Sequence, residues 1–281
     1  MATLIECDNG RLGYREILAT ALNGAWRSPR GLATYDAGHV TIVFDDVRDM
    51  LPTKLGRNLS LKIAAVEALQ LIAGLPAEQL LLAVAPQFQR YARPDGTFWG
   101  SYGRRIGQQL DAVYRKLRAD PETRQAVITL WDPDLDNKSG ESDYPCTVAL
   151  GFSINVHDQL DMHTTMRSND AWLGLPYDIF QFTQLQWSLA NTLGVSPGTY
   201  THTTWSLHLY ADNRDDAMKI VTNEQLRVPT LERECLGIGH IGDPIHVVRD
   251  RAAAILTGEM IARMTKTEEW YVEQLADYFK R

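Results

Sequence analysis

The sequence predicts an α+β fold in a single domain, on three observations. The runs Thr147 to Val156 and Gln159 to Arg167 are rich in β-branched and aromatic residues and flank the turn residue Asp158, so they should pair as an antiparallel hairpin. Elsewhere apolar residues recur near helical spacing, as at Leu12, Ile17, Leu18 and Leu22, and at Leu110, Val113, Tyr114 and Leu117. The 281 residues, 44% hydrophobic and 22% charged, suffice for one large core or two modest ones, and the lack of a Gly/Ser-rich or Pro-rich linker favours one.

Charge and cysteine usage narrow the function classes. A formal net charge of -7 argues against broad nucleic-acid binding and leaves local basic pockets for small anions. Cys7, Cys146 and Cys235 are far apart and odd in number, which suits a reducing cytoplasm and gives neither a disulfide framework nor zinc spacing. No metal site is expected. The start lacks a basic segment ahead of an apolar one, and no run of about 18 apolar residues occurs, so a soluble cytoplasmic chain without membrane contact is expected.

In chain order, Arg11 to Leu22 reads as a helix ending at Asn23-Gly24. A basic, turn-rich loop, Trp26 to Gly31, leads to a strand at His39 to Phe44. Leu59 to Gly74 is an apolar helix, and Glu67 sits in it among Ile63, Ala64 and Leu71. A carboxylate on an apolar face is costly unless paired or protonated. Glu67 therefore either pairs with a core arginine or carries a pKa raised by burial, suited to acid/base work near neutral pH. Pro76 to Val84 is a further helix and Pro86 to Gly100 a polar connection. Tyr102 precedes Gly103, an arrangement more often packing than chemistry, and Ile106 to Arg118 is an amphipathic helix.

Asp120 to Gln125 turns into a strand at Ala126 to Trp131, and the acidic loop Asp132 to Gly140 is assigned no chemistry. After the hairpin, Tyr177 to Gly194 reads as a long helix with core aromatics. Gly198 to Leu209 reads as a strand, with His208 and Tyr210 on one face at strand period. A helix at Arg214 to Val221, a proline-bearing connection, a strand near Ile245 to Val248 and a helical tail from Lys266 to Lys280 complete the chain.

The densest chemistry lies between Ser142 and Asp178. The hairpin should return Arg167 toward Cys146, and a neighbouring cation is expected to lower the thiol pKa and favour the nucleophilic thiolate. Asp178 stands near the start of the long helix after Pro176, where it either caps that helix or meets a ligand.

Pro145-Cys146, Met166-Arg167-Ser168-Asn169-Asp170 and Leu173-Gly174-Leu175-Pro176-Tyr177-Asp178 together resemble the thymidylate synthase superfamily, from about Gly10 to about Asp216. Ser142-Asp143 before Cys146-Thr147, Ser206-Leu207, and Asp178 where a synthase carries asparagine resemble the dCMP hydroxymethylases more closely. The resemblance implies a mixed β-sheet flanked by helices. It implies Cys146 as nucleophile, Glu67 organising water and proton transfer, and Tyr102 beside the base. Phosphate would meet Arg167, Ser168 and Arg30, the last preferred over Arg27. Arg124 would reach across a homodimer interface, with Gln125 where the family has a second arginine and Arg104 or Arg105 left to compensate. His208 and Tyr210 would hold the sugar, and Asp170, Gly174 and Tyr177 would line the side taken by the cofactor, 5,10-methylenetetrahydrofolate.

Addition of Cys146 to C6 of a pyrimidine makes C5 nucleophilic toward a one-carbon unit. Hydride then gives a methyl group, whereas water gives a hydroxymethyl group. The charged ending Ala276 to Arg281 does not resemble the apolar tail that closes over the folate in synthases, which favours hydration. A carboxylate at Asp178 can accept from the cytosine amino group and share a proton with N3, but gives O4 of uracil no donor. The expectation is a 5-hydroxymethylase of a cytidylate, dCMP ahead of CMP. Its alternatives are a 5-methylating enzyme on dUMP or dCMP and a catalytically silent nucleotide-binding protein.

Overall fold

A computed structural model describes residues 2–53, 55, 57–138, 140–223, 237–259 and 261–279. The chain runs β1 (Thr3–Cys7), α1 (Gly10–Leu22), β2 (Ala25–Arg27), β3 (Thr34–Asp36), β4 (Val40–Phe44), α2 (Leu61–Ala73), α3 (Glu78–Val84), α4 (Tyr102–Ile106), α5 (Gln109–Ala119), β5 (Val127–Thr129) and α6 (Pro133–Asp136). It continues through β6 (Thr147–Ile154), β7 (Gln159–Met166), β8 (Asn169–Asp170), α7 (Leu175–Leu193), β9 (Ser196–Thr204), β10 (Leu207–Tyr210), α8 (Arg214–Thr222), α9 (Ile245–Thr257) and α10 (Lys266–Phe279). Cys235 and most of the proline-bearing connection lie outside the described residues.

Six strands form a mixed sheet in the order β1-β4-β9-β7-β6-β5, and four short strands form a second sheet, β2-β3-β10-β8. The β6–β7 hairpin is the one read from the sequence. Its turn places Asp158 at φ 55, and Asn155 Oδ1 accepts from the backbone N–H groups of His157 and Gln159. β7 then pairs in parallel with β9, and β4 with β1, so both strand directions occur in one sheet.

Helix α2 starts at Ser60, whose hydroxyl accepts from Ile63 N at 3.3 Å, and stops at Gly74 in the left-handed region. Its residues from Ile63 to Val66 and from Ala68 to Ala73 are all buried, so it is a central helix packed against α7 and α9 rather than an amphipathic surface one. The buried apolar residues of sheets and helices form one contiguous cluster. No helix among the described residues is long and apolar enough to cross a membrane.

Three readings are corrected. The Ile245 to Val248 segment is the first turn of α9, because Ile245, Val248, Ala252 and Ile255 recur at helical spacing on a buried face; the β-branched composition of a short window hid that period. The strand from Gly198 to Leu209 breaks at Trp205-Ser206, where Trp205 N donates to Met166 O and Asn169 N to Ser206 O. β9 thus belongs to the larger sheet and β10 to the smaller. The helix read from Ile106 splits at Gly107 into α4 and α5, since Gly107 takes φ 44. Strand β1, which sequence reading left unassigned, is paired in parallel along β4.

The acidic Asp132 to Gly140 stretch contains α6 and the buried Asp136, which binds Arg105 at 2.6 and 2.8 Å. The same guanidinium donates to Leu130 O and Trp99 O, each at 3.1 Å, so a fully used cation ties α4 to the wall of the site. Arg105→Met should strand Asp136 and cost about 3–5 kcal/mol in urea unfolding, and Arg105→Met with Asp136→Leu should recover most of it. Equal losses in both variants would exclude a buried-charge origin.

Candidate active site

Between the two sheets and the α2–α7 pair lies a cavity of about 960 Å³. The hairpin register sets its reactive end. Thr147 stands opposite Met166, and Arg167 N donates to Cys146 O at 2.8 Å, so Cys146 and Arg167 leave the sheet side by side. The Arg167 guanidinium lies 3.8 Å from Cys146 Sγ. It is fixed by donation to Pro145 O at 3.0 Å and Tyr144 O at 3.2 Å, and it packs over Trp131.

The expected depression of the Cys146 pKa does not occur. Burial pushes the thiol up to about 11; Arg167 and Arg30 pull it down, while Asp178 and Asp143 push the other way. At neutral pH Cys146 is therefore a thiol. Tyr102 orients this corner: Thr147 N and Thr147 Oγ1 both donate to its hydroxyl, at 3.1 and 2.8 Å.

Two carboxyls face the cavity from the central helices. Among the described residues Glu67 has no ion pair or hydrogen bond, so no described arginine pairs with it. Burial and the nearby Asp178 push it up to about 8. Asp178 does not cap α7. Gly174 holds that place, and the Asp178 carboxyl accepts from Asn169 Nδ2 at 2.7 Å and Gln181 Nε2 at 3.0 Å. Burial raises it to about 7 against those two hydrogen bonds. Behind it, Asn169 Oδ1 lies 3.0 Å from His202 Nε2, and His202 Nδ1 lies 2.9 Å from the Tyr200 hydroxyl. Burial holds the His202 pKa down near 3, so the ring is neutral and its Nε2–H donates to Asn169. That bond orients the Asn169 amide with its NH2 toward Asp178.

Arg30 and Ser168 line the cavity with Arg167, whereas Arg27 does not. Arg124 is exposed and outside the cavity. Arg104 pairs with Glu78 at 2.7 Å, Arg105 is bound to Asp136, and neither lines the cavity. His208 and Tyr210 do share one face, with rings edge to face at 5.3 Å, and Ser168 Oγ lies 3.4 Å from His208 Nδ1.

At the other end, Asp170 Oδ1 accepts from the backbone of Trp172 and Leu173, while its buried Oδ2 has no hydrogen-bond partner among the described residues. Gly174 lines the same wall. Tyr177 does not line it; its hydroxyl accepts from Ser60 N at 2.9 Å and joins α7 to the start of α2. No described residue beyond Tyr210 lines the cavity, and α10 packs elsewhere, with Trp270 against Phe180 and the Tyr271 hydroxyl donating to Gln184.

Sequence reading missed Asn169 and His202 as a unit, and it missed Asp143, Lys138 and Gln181, all three on the cavity wall. One signal was available: Gln181, Gln184 and Gln186 interrupt an otherwise apolar helix, and buried amides need stated partners.

A family model described as thymidylate synthase matches residues 14–237. The chain is 31% identical over 219 residues to a protein named deoxyuridylate hydroxymethyltransferase from Bacillus phage SP01, covering 71% of this chain and 57% of that relative. It is 28% identical over 156 residues to a thymidylate synthase of Bacillus subtilis subsp. natto, covering 51% of this chain and 54% of the relative. The alignments thus span little more than half the length of these curated relatives.

Glu67 offers a test of the electrostatics. Its folded-state pKa of about 8 exceeds the ordinary 4.5, so its contribution to stability is present below pH 4.5 and is lost as pH rises toward 8. Glu67→Gln should therefore raise unfolding free energy at pH 8 by about 1–3 kcal/mol and change little near pH 4.5. A gain of the same size at both pH values would show that the carboxyl is not desolvated.

Proposed function

Because the chain belongs to the thymidylate synthase family, we propose that it transfers a one-carbon unit from 5,10-methylenetetrahydrofolate to C5 of a pyrimidine nucleoside monophosphate. The finer reading is hydroxymethylation of a cytidylate, dCMP ahead of CMP, by one domain acting in the cytoplasm as a homodimer. The observation that carries the substrate reading is Asp178, a buried carboxyl pushed to about 7 at the wall of the cavity.

Arg30, Arg167 and Ser168 take the phosphate, and Arg124 reaches the phosphate site of a second subunit. A phosphate drawing Arg167 toward itself frees Cys146 Sγ, and the thiol gives its proton to solvent water as sulfur adds to C6. Half-protonated near neutral pH, Asp178 accepts from the C4 amino group and shares its proton with N3, which neutralises the charge that addition sends into the ring. His208 and Tyr210 hold the sugar. Asp170 Oδ2, without a hydrogen-bond partner among the described residues, fits an N–H group of a pterin, with Gly174 on the same wall and Tyr177 acting at one remove through Ser60. When bound, the folate supplies the carbon at the oxidation level of formaldehyde. The ionised fraction of Glu67, which has no partner among the described residues, takes a proton from the water that completes a hydroxymethyl group, and the name of the phage relative supports that product.

That same name favours a second reading. A protonated Asp178 can donate to O4, which would admit dUMP. Mass spectrometry of products from an equimolar mixture of dCMP, CMP and dUMP with methylenetetrahydrofolate separates the readings. A hydroxymethyl adduct on dCMP is expected, Cys146→Ala should lower turnover by about 10³-fold or more, and Asp178→Asn should move preference toward dUMP by about 100-fold. A methylated product would overturn the hydration step, and nucleotide binding without exchange of the C5 hydrogen would mark a catalytically silent protein.

A further inference from the structure

Gln181 stands one helical turn beyond Asp178 on α7 and is 3% exposed. Its Nε2 donates to Asp178 Oδ1 at 3.0 Å, which fixes the amide and turns Oε1 away from the carboxyl. That Oε1 is buried and has no hydrogen-bond partner among the described residues. Buried carbonyl oxygens are rarely left unpaired.

Location separates this orphan from the others. Gln186 Oε1 is also unpaired, but Gln186 does not line the cavity, and its Nε2 serves Leu160 O and Gly198 O. Ser101 Oγ and Asp170 Oδ2 are unpaired at the cavity, yet neither residue bonds to Asp178. Among the described residues, only Gln181 joins a missing donor to a direct hydrogen bond on the carboxyl that faces the base.

We propose that Gln181 is a second base-selecting residue, whose Oε1 accepts the N–H of the C4 amino group that Asp178 leaves free. The inference rests on the cytidylate reading above. An exocyclic amino group carries two N–H bonds, and one carboxylate oxygen takes one of them. The amide oxygen beside it takes the other and is itself satisfied. A uridylate sets O4 against Oε1, acceptor against acceptor. Turning the amide over does not remove the conflict, since Oε1 would then meet Asp178 Oδ1, tolerable only when Asp178 is protonated. Discrimination thus arises from a polar group left unpaired with the wrong base.

The test is Gln181→Leu, with Gln181→Met as a second apolar replacement of similar length, in the full chain. For each, kcat/KM is measured separately with dCMP and dUMP, alongside calorimetric affinities for the two nucleotides without folate. The expected result is a fall in dCMP-over-dUMP selectivity of about 10- to 100-fold, from loss with dCMP while dUMP holds or improves. Equal losses with both nucleotides would reduce Gln181 to a support for Asp178, and an unchanged ratio would likewise overturn the inference. A parent that prefers dUMP sinks the cytidylate reading and this inference together. A parent that prefers dCMP with an unaltered ratio in both variants sinks this inference alone. Should turnover be absent, the affinity ratio decides in the same way.

Discussion

Thr147 stands opposite Met166 across the β6–β7 pair, and a slip of one residue would turn every side chain of either strand to the other face. That register is why Cys146 and Arg167, 21 residues apart in sequence, meet at the rim of the sheet. It also positions the strands beyond the hairpin. β7 carries the pairing on to β9, and the chain then crosses at Trp205 into β10, where His208 lies beside Asp170 across the β8–β10 pair. The candidate nucleophile, the candidate phosphate ligands Arg167 and Ser168 and the candidate sugar ligands therefore share one rigid frame, and a change in hairpin register would displace them all.

The frame holds an unusual balance of charge. Asp143, Asp170, Asp178 and Glu67 all have pKa values raised chiefly by burial, and the cations on the same wall are Arg30, Lys138 and Arg167. Desolvation outweighs Arg167 at Cys146 for the same reason it raises the carboxyls: the cavity wall gives ions too few dipoles to replace water. Such a site favours proton-sharing over full charge separation. A protonated thiol, and acids near pH 7 and 8, belong to one electrostatic regime and not to separately tuned residues.

How much was legible in the sequence depends on how local each feature is. The hairpin was readable because turn chemistry and strand composition sit in one continuous stretch. Glu67 was conspicuous because a carboxylate at helical spacing among apolar residues breaks a local pattern, although only the fold could show that no described arginine pairs with it. Arg105 looked available for phosphate because its partner, Asp136, lay in a stretch that read as an acidic loop. The chain from Asp178 through Asn169 to His202 joins three separate elements, and it exists only because the strand breaks at Trp205 and leaves His202 in the larger sheet. No window of sequence contains that information. The misreading of α9 has the opposite cause, since four residues, three of them β-branched, are too few to reveal a period of 3.6.

Helix α7 carries the remaining step. An apolar helix of its length could rotate or slide in the core at modest cost, because methyl groups are interchangeable partners. This one buries amides and hydroxyls with distinct partners: Asp178 with Asn169, Gln184 with Gly237 N and the Tyr271 hydroxyl, Gln186 with Leu160 O, and the Ser188 hydroxyl with Ile238 N. A rotation by one residue would break all of these at once and leave several polar groups desolvated, each at about 1–3 kcal/mol. The polar face therefore fixes both the rotation and the height of α7. Asp178 and Gln181 inherit their aim into the cavity from contacts made two and three turns further along the same helix, on segments that contribute nothing to the cavity wall.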